Sequence, residues 1–384
     1  MTSPTHPKAT LYLQSGLFDG LKSFRELEAR ISALATAKER GDAFEVFAEA
    51  YLATVAVEKA KQVWPGASVP PSVRKRLALT IGDNGVDGIF ETPLGETHAY
   101  QAKFRTSRPS LTWDELSTFL GLADRVDQRV LITNCDRFAG VVKERTAFYA
   151  ITGNDLDKLT PADFAAIRAW LAGGKVERTR KTPLPHQAEA LDHILAALRE
   201  QDRATALMAC GTGKTLVALW AAEKVTQAFS LCVARPESQA GKPAPQSQAG
   251  KPVPRILVLV PSLALLRQTL HEWTRETSWP ALATLCVCSD PSVKAGSDEI
   301  VLRPSDLDFP VTTDSAQVRA FLDAPFAGVK LVFSACQSAP VVAAGMQRQT
   351  RLWSSHAKTG QAPRPETCVG ITKQAIRVGA RKSE

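Results

Sequence analysis

Met208-Ala209-Cys210-Gly211-Thr212-Gly213-Lys214-Thr215 decides how the second half of this chain folds. It follows a short strand-like run, Ala204 to Met208, and opens a helical run, Thr215 to Val225. A glycine-rich turn between strand and helix aims main-chain N–H groups and a helix N-terminus at phosphate. Within it, Lys214 would reach the β- and γ-phosphates and Thr215 the accompanying Mg²⁺, so the ligand expected at Gly211, Thr212, Gly213, Lys214 and Thr215 is ATP. The general pattern has Gly where Met208 stands. Outward from this turn lie a helix from Gln187 to Arg199, a strand over Ile256–Val260 and a helix from Leu263 to Glu276. Strands alternating with helices of this length predict a parallel α/β sheet. Ser238-Gln-Ala-Gly-Lys-Pro-Ala-Pro245 recurs almost unchanged at residues 247–254, which predicts a disordered surface insertion over 235–254.

The first half reads differently. Phe24, Leu27, Ile31 and Leu34 repeat at three and four, predicting one helix over 24–40, and a second runs from Gly41-Asp42 through Leu52. Two alternating runs, Gly88–Thr92 and Thr97–Phe104, are parted by Pro93-Leu94-Gly95 and predict a hairpin. A helix over Leu116–Val126, a buried strand at Arg129–Thr133 and a helix begun by Thr160-Pro161 follow. On the hairpin's second arm Gln101 and Lys103 are two apart, so both side chains leave one face. Metal-assisted phosphodiester hydrolysis needs oxygen ligands for Mg²⁺ and a cation that orients the attacking water. Asp87 can supply the first and Lys103 the second, with Glu45 on the preceding helix as a further carboxylate. Arg74-Lys75-Arg76 and Arg105 to Arg108 flank this set, either as phosphate contacts or as a solvated face. His98 reads as a plain surface or packing histidine.

Gly41-Asp-Ala-Phe-Glu45, Gly85-Val-Asp87-Gly-Ile89 and Gln101-Ala-Lys103, with the strand Val130–Thr133, resemble the Mrr branch of the PD-(D/E)XK nucleases. The resemblance covers roughly residues 25–150. It implies Asp87 and the main-chain carbonyl of Ala102 as metal ligands and Lys103 as the residue that positions water. Gln101 stands where relatives have Glu; an amide is a weaker Mg²⁺ ligand, which raises the importance of Glu45. The second half resembles superfamily 2 helicases. Pro183-Leu-Pro-His186-Gln187 is similar to their Q motif, implying that Gln187 reads the adenine edge. Val260-Pro261-Ser262 and the helix after it resemble motif Ia, and Val332–Ser338 resembles the strand and turn that precede the acidic motif. The combination looks most like the motors of type III and single-chain type I (ISP) restriction enzymes, in which modification and target-recognition modules are separate segments.

These readings predict an α/β protein: an extension over 1–24, a PD-(D/E)XK-like nuclease domain over 25–172 and a linker over 173–185. A partial RecA-like lobe over 186–345 and a basic tail over 346–384 complete it. An Asp-Glu-x-His acidic motif is expected soon after Gln337-Ser338. The Asp-Glu pairs, Asp114-Glu115 and Asp298-Glu299, do not fit it, and the tail is expected to be disordered, as after a frameshift or truncation. ATPase activity is accordingly doubtful.

The 384 residues carry 47 Lys and Arg against 39 Asp and Glu. That surplus of eight is unevenly placed: 21 against 21 over 1–172, 18 against 16 over 173–345, and 8 against 2 thereafter. Charge alone therefore does not argue for nucleic acid, and double-stranded DNA as partner rests on the motifs. No run is apolar enough to span a membrane. Seven cysteines form no regular framework, Cys286 and Cys288 read as core thiols, and a reducing cytoplasm is expected. A non-catalytic DNA- or nucleotide-binding fragment and a decayed gene product are the rival readings.

Overall fold

The computed structural model describes residues 4–57, 59–79, 85–143, 145–174, 176, 179–201, 203–233, 254–288, 307–346, 366–371 and 375–380. The chain divides into two compact units: Met1–Thr179 with Val301–Pro310, and Arg180–Ile300 with Val311–Glu384.

The first unit opens with helices α1 (Ala9–Gln14), α2 (Phe24–Ser32) and α3 (Ala37–Thr54), then β1 (Gln62–Pro65) and α4 (Pro71–Leu77). The hairpin β2 (Gly88–Glu91) and β3 (Thr97–Lys103) leads to α5 (Trp113–Leu122), β4 (Gln128–Thr133), α6 (Gly140–Lys143), β5 (Phe148–Ile151), α7 (Gly153–Leu156) and α8 (Pro161–Leu171). The five strands lie in chain order, with β1, β2 and β3 antiparallel and β3, β4 and β5 parallel. Strand alternation sorts the two cores. Phe90, Tyr100, Ala102, Val130 and Ile132 pack with Phe44 and Phe47 of α3 and Trp170 of α8 on one face. Ile89, Ala99 and Leu131 pack with Leu116 and Phe119 of α5 on the other.

The single helix expected over 24–40 is two helices. Thr36 accepts from the Glu39 N–H while the Glu39 carboxylate accepts from the Thr36 N–H, a capping box that starts α3 at Ala37. Of the extension expected over 1–24, Ala9, Tyr12, Leu17, Phe18 and Leu21 belong to the same core as α3. His98, open in the sequence between a surface and a packing histidine, is a packing one: it is fully buried, with Phe90 edge-on to its ring at 4.9 Å.

The second unit runs α9 (Pro185–Glu200), β6 (Arg203–Leu207), α10 (Lys214–Val233), β7 (Arg255–Val260), α11 (Leu263–Glu276), β8 (Leu282–Val287), β9 (Val311–Thr312), α12 (Ser315–Asp323), β10 (Val329–Ala335), β11 (Glu366–Ile371) and β12 (Ala375–Ala380). Its sheet has the order β6-β12-β11-β7-β10-β8-β9. All pairs are parallel except those of β12, which is antiparallel to both β11 and β6. The tail expected to be disordered therefore contributes β11 and β12, which fill the space between β6 and β7. Cys286 and Cys288 are buried, as expected of core thiols. The expected insertion over 235–254 and the pair Asp298-Glu299 lie outside the described residues, apart from Pro254. Among the described residues no helix is long and apolar enough to cross a membrane.

Candidate functional site

In the first unit the chemistry gathers where β2 enters the sheet beside the C-terminal end of β3. The Asp87 N–H donates to the Tyr100 carbonyl at 3.0 Å, continuing the β2–β3 ladder by one residue. Its carboxylate then turns back and accepts from the Ala102 N–H at 2.7 Å. Asp87 is thereby fixed against the residue between Gln101 and Lys103. Gly88 follows because a Cβ there would lie 2.5 Å from the Tyr100 ring.

Gln101 is 1 % exposed and donates from Nε2 to the Gly85 carbonyl at 2.7 Å. Its Oε1 has no hydrogen-bond partner among the described residues. A buried acceptor left without a donor costs about 1–3 kcal/mol, and a cation or water would relieve that cost. Lys103 is half-buried at the strand's end.

Glu45 stands on α3, on the opposite face of the sheet from Gln101, and His6 Nε2 lies 3.3 Å from its Oε2. Four residues on, Glu49 is fully buried, and that burial pushes its pKa up, against hydrogen bonds from Thr5 and His6. Burial likewise pushes the Tyr100 phenol well above its ordinary range, and the charges of Glu49, Asp87 and Glu45 push it further. His6, Glu49 and Tyr100 escaped the sequence reading. Only the i, i+4 spacing of Glu45 and Glu49 on one helix face hinted at any of them.

Mg²⁺ needs oxygen ligands but only one or two carboxylates, since phosphate and water complete its shell. The Asp87 carboxylate and the Gln101 oxygen, without a partner among the described residues, suit such an ion. Among the described residues no three His, Cys, Asp or Glu side chains gather as a self-sufficient metal cluster.

Of the flanking basic residues, Lys75 and Arg76 are exposed, as a solvated face would have them, and the arginines also bond within the chain. Arg74 donates to the carbonyls of Val69 at 3.1 Å and Gly66 at 2.6 Å, and Arg76 to Thr97 Oγ1 at 3.0 Å. Arg105 pairs with Glu115 at 2.6 Å. Arg108 is held by Glu28 at 2.7 Å and Asp157 at 2.8 Å, over the face of Phe24. Burial opposes the Arg108 charge, but its bonds to Asp157 and Glu28 outweigh burial and raise its pKa.

In the second unit the glycine turn has the geometry a phosphate loop requires. Gly211 and Gly213 have φ of +79° and +82°, a region that glycine enters without steric cost. Lys214, the first residue of α10, folds its ammonium back onto the carbonyls of Met208 at 3.1 Å and Ala209 at 2.6 Å. Thr215 is buried, and its carbonyl accepts from the Trp273 indole of α11 at 2.9 Å.

Gln187, expected to read the adenine edge, is bonded at both ends of its amide within the chain. Its Oε1 accepts from the Leu184 N–H at 2.9 Å, capping α9, and its Nε2 donates to the Thr212 carbonyl at 2.9 Å. One N–H and one oxygen lone pair remain for a further partner. Ser262, at the turn after β7, caps α11 by accepting from the Leu265 N–H.

The carboxyl ends of the sheet's parallel strands lie on the phosphate-loop side, where open α/β sheets bind ligands. By sequence, β11 is followed by Thr372-Lys373-Gln374, β7 by Pro261-Ser262 and β10 by Cys336-Gln337-Ser338. None is acidic.

A P-loop α/β unit is thus joined in one chain to a mixed-sheet unit bearing the Asp87, Gln101 and Lys103 set. Residues 180–291 match the family described as ResIII: Type III restriction enzyme, res subunit. Among solved structures the chain is similar to "ATP-dependent Type ISP restriction-modification enzyme LlaBIII bound to DNA", at 23% identity and a TM-score of 0.62. That similarity covers 85% of this chain and 19% of the other, so this chain spans about a fifth of that enzyme's length and shares its fold over that part. A second similarity is to a nuclease-deletion mutant of the Type ISP restriction-modification enzyme LlaGI in complex with a DNA substrate mimic. It has 28% identity, covers 44% of this chain and 14% of that one, and has a TM-score of 0.31. No curated protein matches.

Proposed function

We propose that this chain is the nuclease and nucleotide-binding part of an ATP-dependent DNA-restriction machine. Its first unit would be a Mg²⁺-dependent DNA endonuclease of the PD-(D/E)XK, Mrr-like kind. The observation that carries the nuclease half is the Asp87–Ala102 contact. It sets a fixed carboxylate beside Gln101, whose oxygen lacks a partner, and Lys103. In this reading Asp87, the Ala102 carbonyl and Gln101 receive the metal, Glu45 adds negative charge, and Lys103 steadies the attacking water. The metal supplies Lewis-acid activation when bound. The ResIII match and the glycine turn support ATP as ligand of the second unit, at Gly211, Thr212, Gly213, Lys214 and Thr215, with Thr215 on the Mg²⁺ of the nucleotide. The solved structure that shares this fold is described as bound to DNA, which supports DNA as the partner, double-stranded in this reading. Modification and target-recognition modules would be supplied outside these residues.

Nicking of supercoiled plasmid tests the nuclease half. The chain should nick with Mg²⁺ and not with EDTA, and Asp87→Ala and Lys103→Ala should each lower the rate at least 100-fold, as loss of a charge-stabilising group does. Equal nicking by all three proteins would sink the assignment. Salt-sensitive DNA binding without cleavage under any divalent ion would instead favour a binding module, the reading that the amide at Gln101 keeps open.

A further inference from the structure

Helix α3 carries Asp42, Glu45 and Glu49 at i, i+3 and i+7, one stripe along one face. The segment 5–8 takes up the whole stripe. Lys8 pairs with Asp42, His6 with Glu45, and the Thr5 N–H and Oγ1 donate to Glu49 at 2.6 and 2.8 Å. The His6 N–H adds a third bond to Glu49 at 3.2 Å. On its other side the segment is pinned by Ser68 Oγ, which donates to the Thr5 carbonyl at 3.1 Å.

The imidazole has a defined polarity. His6 Nδ1 accepts from the Lys8 N–H at 3.2 Å, which assigns the ring proton to Nε2, the nitrogen facing Glu45. The ring is 6 % exposed, whereas the Glu45 side chain is 29 % exposed. A sealed donor therefore grips an acid that still reaches solvent. Glu49 and Asp42 already anchor the segment, so this contact is not needed to hold it in place.

We infer that His6 is a positioning residue of the nuclease metal site, fixing Glu45 through an Nε2–H hydrogen bond, with residues 5–8 as the outer shell of that site. The inference rests on the nuclease reading above. A glutamate side chain on a helix samples several rotamers, and a fixed donor on one oxygen leaves the other presented in one direction. Carboxylates that serve metals are held by such donors, and removing one costs about 10–100-fold in metal affinity.

Calorimetric titration of the nucleotide-free full chain with Mn²⁺ tests this. Wild type is compared with His6→Ala, His6→Gln and Asp87→Ala, and thermal melts establish that each is folded. His6→Ala should weaken Mn²⁺ binding about 10-fold. It should raise the Mg²⁺ concentration for half-maximal nicking by a similar factor and leave the KM for DNA unchanged. His6→Gln, which keeps an N–H at the same reach, should recover most of the loss. An unchanged or tighter Mn²⁺ affinity in His6→Ala, with Asp87→Ala still defective, overturns the role of His6 and leaves the nuclease standing. Wild type that neither binds Mn²⁺ nor nicks removes the nuclease reading, and this inference with it.

Discussion

A methyl group on residue 213 would lie 2.2 Å from the Gln187 amide nitrogen, whereas one on residue 211 would meet nothing within 4 Å. Both glycines have positive φ, so alanine at either carries backbone strain of about 1–2 kcal/mol. Only at 213 must it also break the Gln187 bond to the Thr212 carbonyl. Fluorescent-nucleotide titration should therefore show Gly211→Ala weakening binding about tenfold, the equivalent of about 1.4 kcal/mol, and Gly213→Ala weakening it more, since the Gln187 amide must also move aside. Equal defects would mean that Gln187 has no part in shaping the loop. The two glycines were legible from their motif, and Asp87, Gln101 and Lys103 from hairpin alternation. The partners of these residues were not. His6 and Glu45 are 39 apart in sequence, and Gln187 and Thr212 are 25 apart. Periodicity reports which face a side chain leaves, and carries nothing about what another element brings to meet it.

Elements read well where one local rule acted alone. The 14 residues of α11 span Leu263–Glu276, as the spacing predicts, because the Ser262 cap and a helical apolar stripe agree. Strands β1 and β5, four residues each, were missed because so short a run has no measurable period. Strands β11 and β12 were misread for a different reason: a basic, acid-poor stretch without periodicity argued for disorder, yet ladder bonds to β7 and β6 place them. Helix α12 shows what pattern cannot reveal about an element's end. Its C-terminal carbonyls are closed by Lys330 of β10, which is 2 % exposed. The ammonium donates to Phe321 at 2.7 Å and Leu322 at 2.9 Å, and also reaches Ala324, while Arg255 donates to Leu322 at 2.7 Å. A cation at the negative end of a helix, bonded to buried acceptors, is worth about 2 kcal/mol. Lys330→Met keeps the stem and removes the charge. Urea denaturation should show the P-loop unit destabilised by about that amount; an unchanged midpoint would mean that water or Arg255 alone satisfies these carbonyls.

At the scale of the molecule, the sheet order of the second unit predicts nucleotide binding without hydrolysis. Breaking the γ-phosphate bond requires an acid near the Mg²⁺ and the attacking water. The strands nearest β6 end without one. Asp314, which follows β9, is committed to capping α12 through the Ala316 N–H at 2.7 Å. Strand β8, after which the next acid in sequence is Asp290, is five places from β6, roughly 24 Å at the spacing of neighbouring strands. Phosphate contacts at the loop need none of these groups, so binding should survive without turnover. A nucleotide that binds only the folded loop stabilises the unit carrying it, by about 2.7 kcal/mol at a hundredfold excess over Kd. Scanning calorimetry with ATP and Mg²⁺ should therefore raise the melting of the P-loop unit in the intact chain and leave Lys214→Ala unmoved. Phosphate release, with or without DNA, should stay at the level of Lys214→Ala. Release above that level that disappears in Lys214→Ala would mean that an acid reaches the loop from a place this sheet order does not provide.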